Sequence, residues 1–165
     1  MFIKIRNMLV SFALMLTPLL SYSETPQLEF QKNPNVEKVA EAFSLDCVDW
    51  VLSQTKVKLD WSNESVQHIE GLLNSLSNMA AKNPPPEERI EDFSKMFGFY
   101  IGEVYRKNYG GVEWGDVIID GNPHYGLGYI DSGEAFIWPI VKVNKRLVLG
   151  PEENVLHYYQ TITEK

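Results

Sequence analysis

Phe97 to Trp114 reads FGFYIGEVYRKNYGGVEW, and this stretch decides the fold. Apolar residues recur at helical spacing from Ile90 through Phe93 and Phe97 to Val104. Arg106 and Lys107 suit the last turn of a helix, and Gly110 stops it. Past Gly111 the period changes, and Val117, Ile118 and Ile119 are β-branched strand formers. The stretch is thus the second half of a long helix, a Gly-Gly stop and the start of a strand. Gly98 and Gly102 lie four apart, on one helix face. Each costs about 1 kcal/mol against Ala in a helix interior, which implies that another element packs close to the backbone there.

Working back from this helix, Asn83-Pro84-Pro85-Pro86 forms a stiff connector whose last proline opens it, with Glu87 and Glu88 in the favoured acidic first turn. Before the prolines, Val66, Ile69, Leu72, Leu73, Leu76 and Met79 form one stripe, preceded by Ser62 or Asp60 as cap. Val36, Val39, Ala40, Phe43, Cys47, Trp50 and Val51 form another. These patterns predict helices near residues 36–53, 63–81 and 86–108. Residues 24–35, with Pro26 and Pro34, read as a flexible leader.

Working forward, Asp120-Gly121-Asn122-Pro123 and Asp131-Ser132-Gly133-Glu134 are turns by residue type. They separate three strand-like runs between about 112 and 138, an antiparallel meander. Gly126 and Gly128 leave one face of the middle strand bare, so something packs closely on it. Residues 140–149 fit either a short helix or a fourth strand. The helix is favoured and sets Lys142, Lys145 and Arg146 on a solvated side. Pro151-Glu152-Glu153 opens a last helix over about 152–162. The expected fold class is α+β: three to four helices packed on a small antiparallel β-meander, with a C-terminal helix, in a single domain over residues 36–165. The expected core is Phe43, Cys47, Ile69, Leu73, Leu76, Phe93, Phe97, Val104, Ile118, Leu127, Phe136 and Leu156.

Residues 1–23 have the anatomy of a secretory signal peptide: Lys4 and Arg6, an apolar run from Met8 to Leu20, then Ser21-Tyr22-Ser23. The run is shorter than the ~20 residues a membrane span needs. The expectation is a periplasmic or secreted protein with no stable membrane insertion after cleavage. Removing the 23 residues takes away two cations and no acid, so the net charge moves from −7 to −9. Such a surface disfavours nucleic acid and suits a basic partner. Cys47 is the one cysteine, so no internal disulfide forms, and its place in a helical stripe reads as core.

Tyr100-x-Gly102-Glu103 on a helix, then Gly110-Gly111-x-x-Trp114, a short meander, Pro139 and Lys145-Arg146-Leu147 resemble, in that order, a small bacterial α+β domain met as an uncharacterised protein. The likeness runs from about Leu59 to Ile162. It implies a fold unit, and because its motif residues are glycines and aromatics it carries no site.

Candidate chemistry is sparse. Glu103, at the edge of the glycine face, reads either as a partly desolvated general base or as a structural carboxylate paired with Lys107. His68, His124 and His157 have no ligand spacing, and no metal or cofactor is expected. No phosphate loop or nucleophile elbow occurs. Aromatic residues crowd the meander, and those exposed beside a carboxylate would form a binding patch. Two function classes follow. The first is a non-enzymatic exported protein, such as an immunity or inhibitor protein, that binds a basic protein partner through Glu103, Trp114, His124, Tyr125 and Tyr129. The alternative is a small envelope hydrolase using Glu103 with His124 as acid and base.

Overall fold

The computed structural model describes residues 28–130 and 136–164. The described residues form an α+β fold with five helices and a four-stranded antiparallel sheet of order β1-β2-β3-β4. Strand β1 (Leu28–Lys32) leads into α1 (Pro34–Thr55), α2 (Asn63–Lys82) and α3 (Glu87–Tyr109). The meander follows as β2 (Val112–Ile119), β3 (Asn122–Tyr129) and β4 (Phe136–Ile137). Helix α4 (Pro139–Leu149), a 3-10 turn (Pro151–Glu153) and α5 (Val155–Thr163) complete the described chain.

Five helices replace the expected three to four, because residues 140–149 are the helix α4. Pro139 at its first turn fixes φ for helix entry. The last helix starts later than expected. Pro151-Glu152-Glu153 forms a separate turn, and Asn154 caps α5 by accepting from the His157 N–H at 2.8 Å. The expected signal peptide lies outside the described residues, as does the turn at 131–134. None of the described helices is long and apolar enough to cross a membrane.

The segment expected to be a leader contains β1. Leu28 through Lys32 pair with Ile119 back to Gly115. Asn33 then ends the strand and starts the helix: its side chain accepts from Asn35 N at 3.0 Å and donates to Asp116 Oδ2 at 2.7 Å. One residue thus caps α1 and ties it to β2.

The core lies between the helices and one side of the sheet. Cys47, Ile69, Leu73, Phe97, Val104 and Leu127 are buried as expected. Phe43, Leu76, Phe93 and Leu156 are half-buried against that core. Ile118 is also half-buried, and Val117 is fully buried on the opposite face of the sheet, outside that core. The reason is β1. The Phe30 ring of β1 lies against Gly115 and Gly128, and Val117 sits against Gly126. Phe30, from the segment expected to be a leader, thus covers Gly115 and Gly128, while Val117 and Trp138 cover Gly126. The side chain of Phe136 lies outside the described set.

The two helix glycines do meet neighbouring elements, and they meet different ones. A Cβ at Gly98 would collide with the Ile140 backbone at the start of α4, and one at Gly102 would collide with the Trp114 indole of β2. Helix α3 is the hub because it has no side chain at either crossing.

A last correction concerns Arg146, expected on a solvated side of α4. Its side chain is buried, with Nε on Glu70 Oε1 at 2.8 Å and Nη2 on Asn74 Oδ1 at 3.0 Å. Glu70 also accepts from Val155 N at 2.8 Å, which satisfies a free N–H at the start of α5. One carboxylate on α2 thereby fixes α4 and α5.

Candidate functional site

Glu103 is sealed in the interior, with no exposed surface. Helix α3 places it one residue after Gly102, directly under Trp114. Its Oε1 accepts from Trp114 Nε1 at 2.7 Å and from Arg106 Nε at 2.8 Å. Its Oε2 accepts from Arg106 Nη2 at 2.9 Å, and Lys107 Nζ stands 3.6 Å away. Arg106 continues across to α1, reaching Glu37 at 3.1 Å. Burial pushes the Glu103 carboxyl upward. The hydrogen bonds from Arg106 and Trp114, with the charges of Arg106 and Lys107, outweigh it and hold the group below the usual glutamate range. A general base at neutral pH needs the opposite shift and access to a substrate proton.

The other motif residues have matching structural uses. Tyr100 Oη donates to Ser65 Oγ at 2.8 Å and accepts from Trp61 N at 2.9 Å. Burial pushes its pKa up to about 12. Trp61 sits at a φ of 59°, a left-handed conformation costly for a bulky residue. It is held there by Tyr100, by Ser44 on its indole N–H at 2.7 Å and by Asn108 on its carbonyl at 2.8 Å. Tyr100, Gly102, Glu103 and Trp114 form one lock that joins the α1–α2 connection, α3 and the sheet.

The remaining expected residues are dispersed. Trp114 is buried, and Tyr129 is half-buried with its hydroxyl 3.3 Å from that of Tyr105. His124 and Tyr125 are exposed near the β2–β3 turn. Glu103 and His124 are not brought together. Trp114 pairs with Leu127 while His124 pairs with Val117, three residues along β3, a separation of about 10 Å. Tyr125 is anchored on one side: its ring packs against Phe99 at 5.5 Å between centroids, and it remains 39% exposed on the other.

His124 and Tyr125 line a recess of about 540 Å³ together with Asn33, Lys95, Asp116 and Ile140. Its walls are the start of α1, the middle of α3, the sheet tip and the start of α4. It offers an imidazole, an ammonium and a carboxylate beside an aromatic ring. The Asp116 carboxylate is already engaged by Asn33. Asn33 was missed because residues 24–35 read as leader, and Asp116 because its partner Asn33 lies in that segment. The Asn33-Pro34 pair, a cap followed by a first-turn proline, was the signal. Among the described residues no group of three or more His, Cys, Asp or Glu is gathered to hold a metal ion.

No protein-family model and no curated protein matches the chain. Among solved structures it is similar to a protein of Bacteroides thetaiotaomicron VPI-5482, determined at 1.50 Å resolution, for which no activity is named. The TM-score is 0.60 at 17% identity, over 83% of this chain and 47% of that one. The chain thus spans about half the length of that protein and shares its fold, that of an uncharacterised bacterial domain.

Proposed function

We propose that this is an exported, non-enzymatic protein that binds a protein partner, in the manner of a periplasmic immunity or inhibitor protein. The observation that carries the reading is Tyr125. A ring fixed against Phe99 on one side and open at the mouth of a mixed polar and apolar recess is a preorganised anchor for a binding surface. Of the residues expected to bind, His124 and Tyr125 keep that role. Glu103 and Trp114 support the fold beneath them.

The hydrolase alternative loses its base, since every oxygen of Glu103 is occupied inside the protein. The acidic net charge favours a basic partner and speeds encounter with it. The test is affinity capture from an envelope extract with the exported protein as bait, repeated with Tyr125→Ala. The expected outcome is a stable partner whose affinity falls by about thirtyfold, the equivalent of ~2 kcal/mol, with folding intact. No partner, together with turnover of a peptidoglycan or ester substrate, would contradict the proposal.

A further inference from the structure

Helices α1 and α3 leave a second groove between them, of about 440 Å³, that shares no lining residue with the Tyr125 recess. Its floor is apolar: Phe43 and Trp50 from α1, Phe93 and Met96 from α3. The rings are fixed, with Trp50 edge-on to Phe93 at 5.3 Å and to Phe97 at 5.6 Å. Its rim carries Asp46 from α1 and Glu88 and Asp92 from α3. Helical spacing explains the arrangement. Asp46 and Trp50 are four apart, as are Glu88 and Asp92, so each helix turns both carboxylate and aromatic groups toward one opening.

None of these three exposed carboxylates has a hydrogen bond or ion pair among the described residues. Glu88 and Asp92, one turn apart, repel each other without an internal partner to compensate. One aromatic ring of the groove already carries a cation from the chain itself. The Arg89 guanidinium lies over the Phe93 ring at 5.8 Å. Three carboxylates against that one guanidinium leave the groove with surplus negative charge beside aromatic faces, the combination that favours a cation over an aromatic ring.

We propose that this groove docks a cationic peptide segment, with an arginine or lysine side chain laid against Trp50, beside the Phe93 ring that Arg89 already covers, and paired with Asp46 and Asp92. It uses none of the residues assigned to partner binding above and stands or falls separately from that reading.

The probe is acetylated, amidated tri-arginine, with the isosteric tri-citrulline peptide as neutral control, titrated into isotope-labelled protein and followed by amide and indole NMR shifts. Tri-arginine should shift the Trp50 indole N–H and the Asp46 and Asp92 amides saturably, and tri-citrulline should not. Asp46→Asn with Asp92→Asn should weaken binding by about tenfold. Glu152→Gln with Glu164→Gln, which removes the same charge from exposed sites elsewhere, should change it less than about twofold. Both pairs are exposed, and an unchanged amide spectrum outside the substituted turns confirms that each variant is folded. Four results would overturn the proposal: no shift at millimolar peptide, shifts spread over the whole surface, equal binding of tri-citrulline, or equal weakening by the two double variants.

Discussion

Replacing Gly102 by Ala puts a methyl group where the Trp114 indole lies, and replacing Gly71 by Ala puts one in open space. The same substitution in two helices should therefore act with opposite sign. Gly102→Ala is expected to destabilise by about 1–3 kcal/mol through overpacking. Gly71→Ala should stabilise by about 0.5–1 kcal/mol through helix propensity and the reduced entropy of the unfolded chain. Urea unfolding of both variants checks the pair. Glu103→Gln keeps an acceptor for Trp114 and removes the charge that Arg106 needs, a loss of about 2–3 kcal/mol at neutral pH. The sign of its pH dependence follows from the lowered carboxyl. A folded-state pKa below the ordinary 4.5 gives stability that is complete above that value and lost as pH falls through the folded pKa. The gap between wild type and Glu103→Gln should hold from pH 7 down to about 5 and shrink below 4.5. A gap that widens on acidification would mean a raised pKa. At Cys47, burial raises the thiol well above its ordinary value, so a thiol reagent should label it only as the protein unfolds. Fast labelling in native buffer would contradict that packing.

Among the elements, β1 completes the sheet, and Phe30 covers Gly115 of β2 and Gly128 of β3. Phe30→Ala should cost about 2 kcal/mol, since the ring is only half-buried, and should speed amide exchange in β1 and β2 before that in α2. Uniform exchange across the molecule would mean that β1 contributes little. The helices α1 to α3 and the meander were legible in the sequence because their periods of 3.6 and 2 are long and unbroken. Strand β1 was not, since LEFQK is short, mostly polar and flanked by prolines, and only pairing with β2 identifies it. Arg146 was misread for a related reason. Helical spacing places it beside Lys142 and Lys145, and only the partners Glu70 and Asn74, some 70 residues away in sequence, make it internal. Of the site, His124 and Tyr125 were legible as aromatic and turn residues of the meander. The recess they line was not, since its other walls come from α1, α3 and α4.

Across the whole molecule, two roles fall to different residues. Tyr100, Gly102, Glu103 and Trp114 hold the sheet on the helices, while recognition is assigned to surface residues they support. The lock predicts that Glu103 and Trp114 are energetically one unit. A double-mutant cycle of Glu103→Leu and Trp114→Phe, measured by urea unfolding at neutral pH, tests this directly. Phe keeps most of the ring and removes the indole N–H, and Leu removes the acceptor at similar volume, so the cycle isolates the 2.7 Å hydrogen bond. The expected coupling is about 1.5–3 kcal/mol, the range for a hydrogen bond to a charged group. Additive effects, with coupling within about 0.3 kcal/mol of zero, would contradict it and return Glu103 to the list of candidate functional residues.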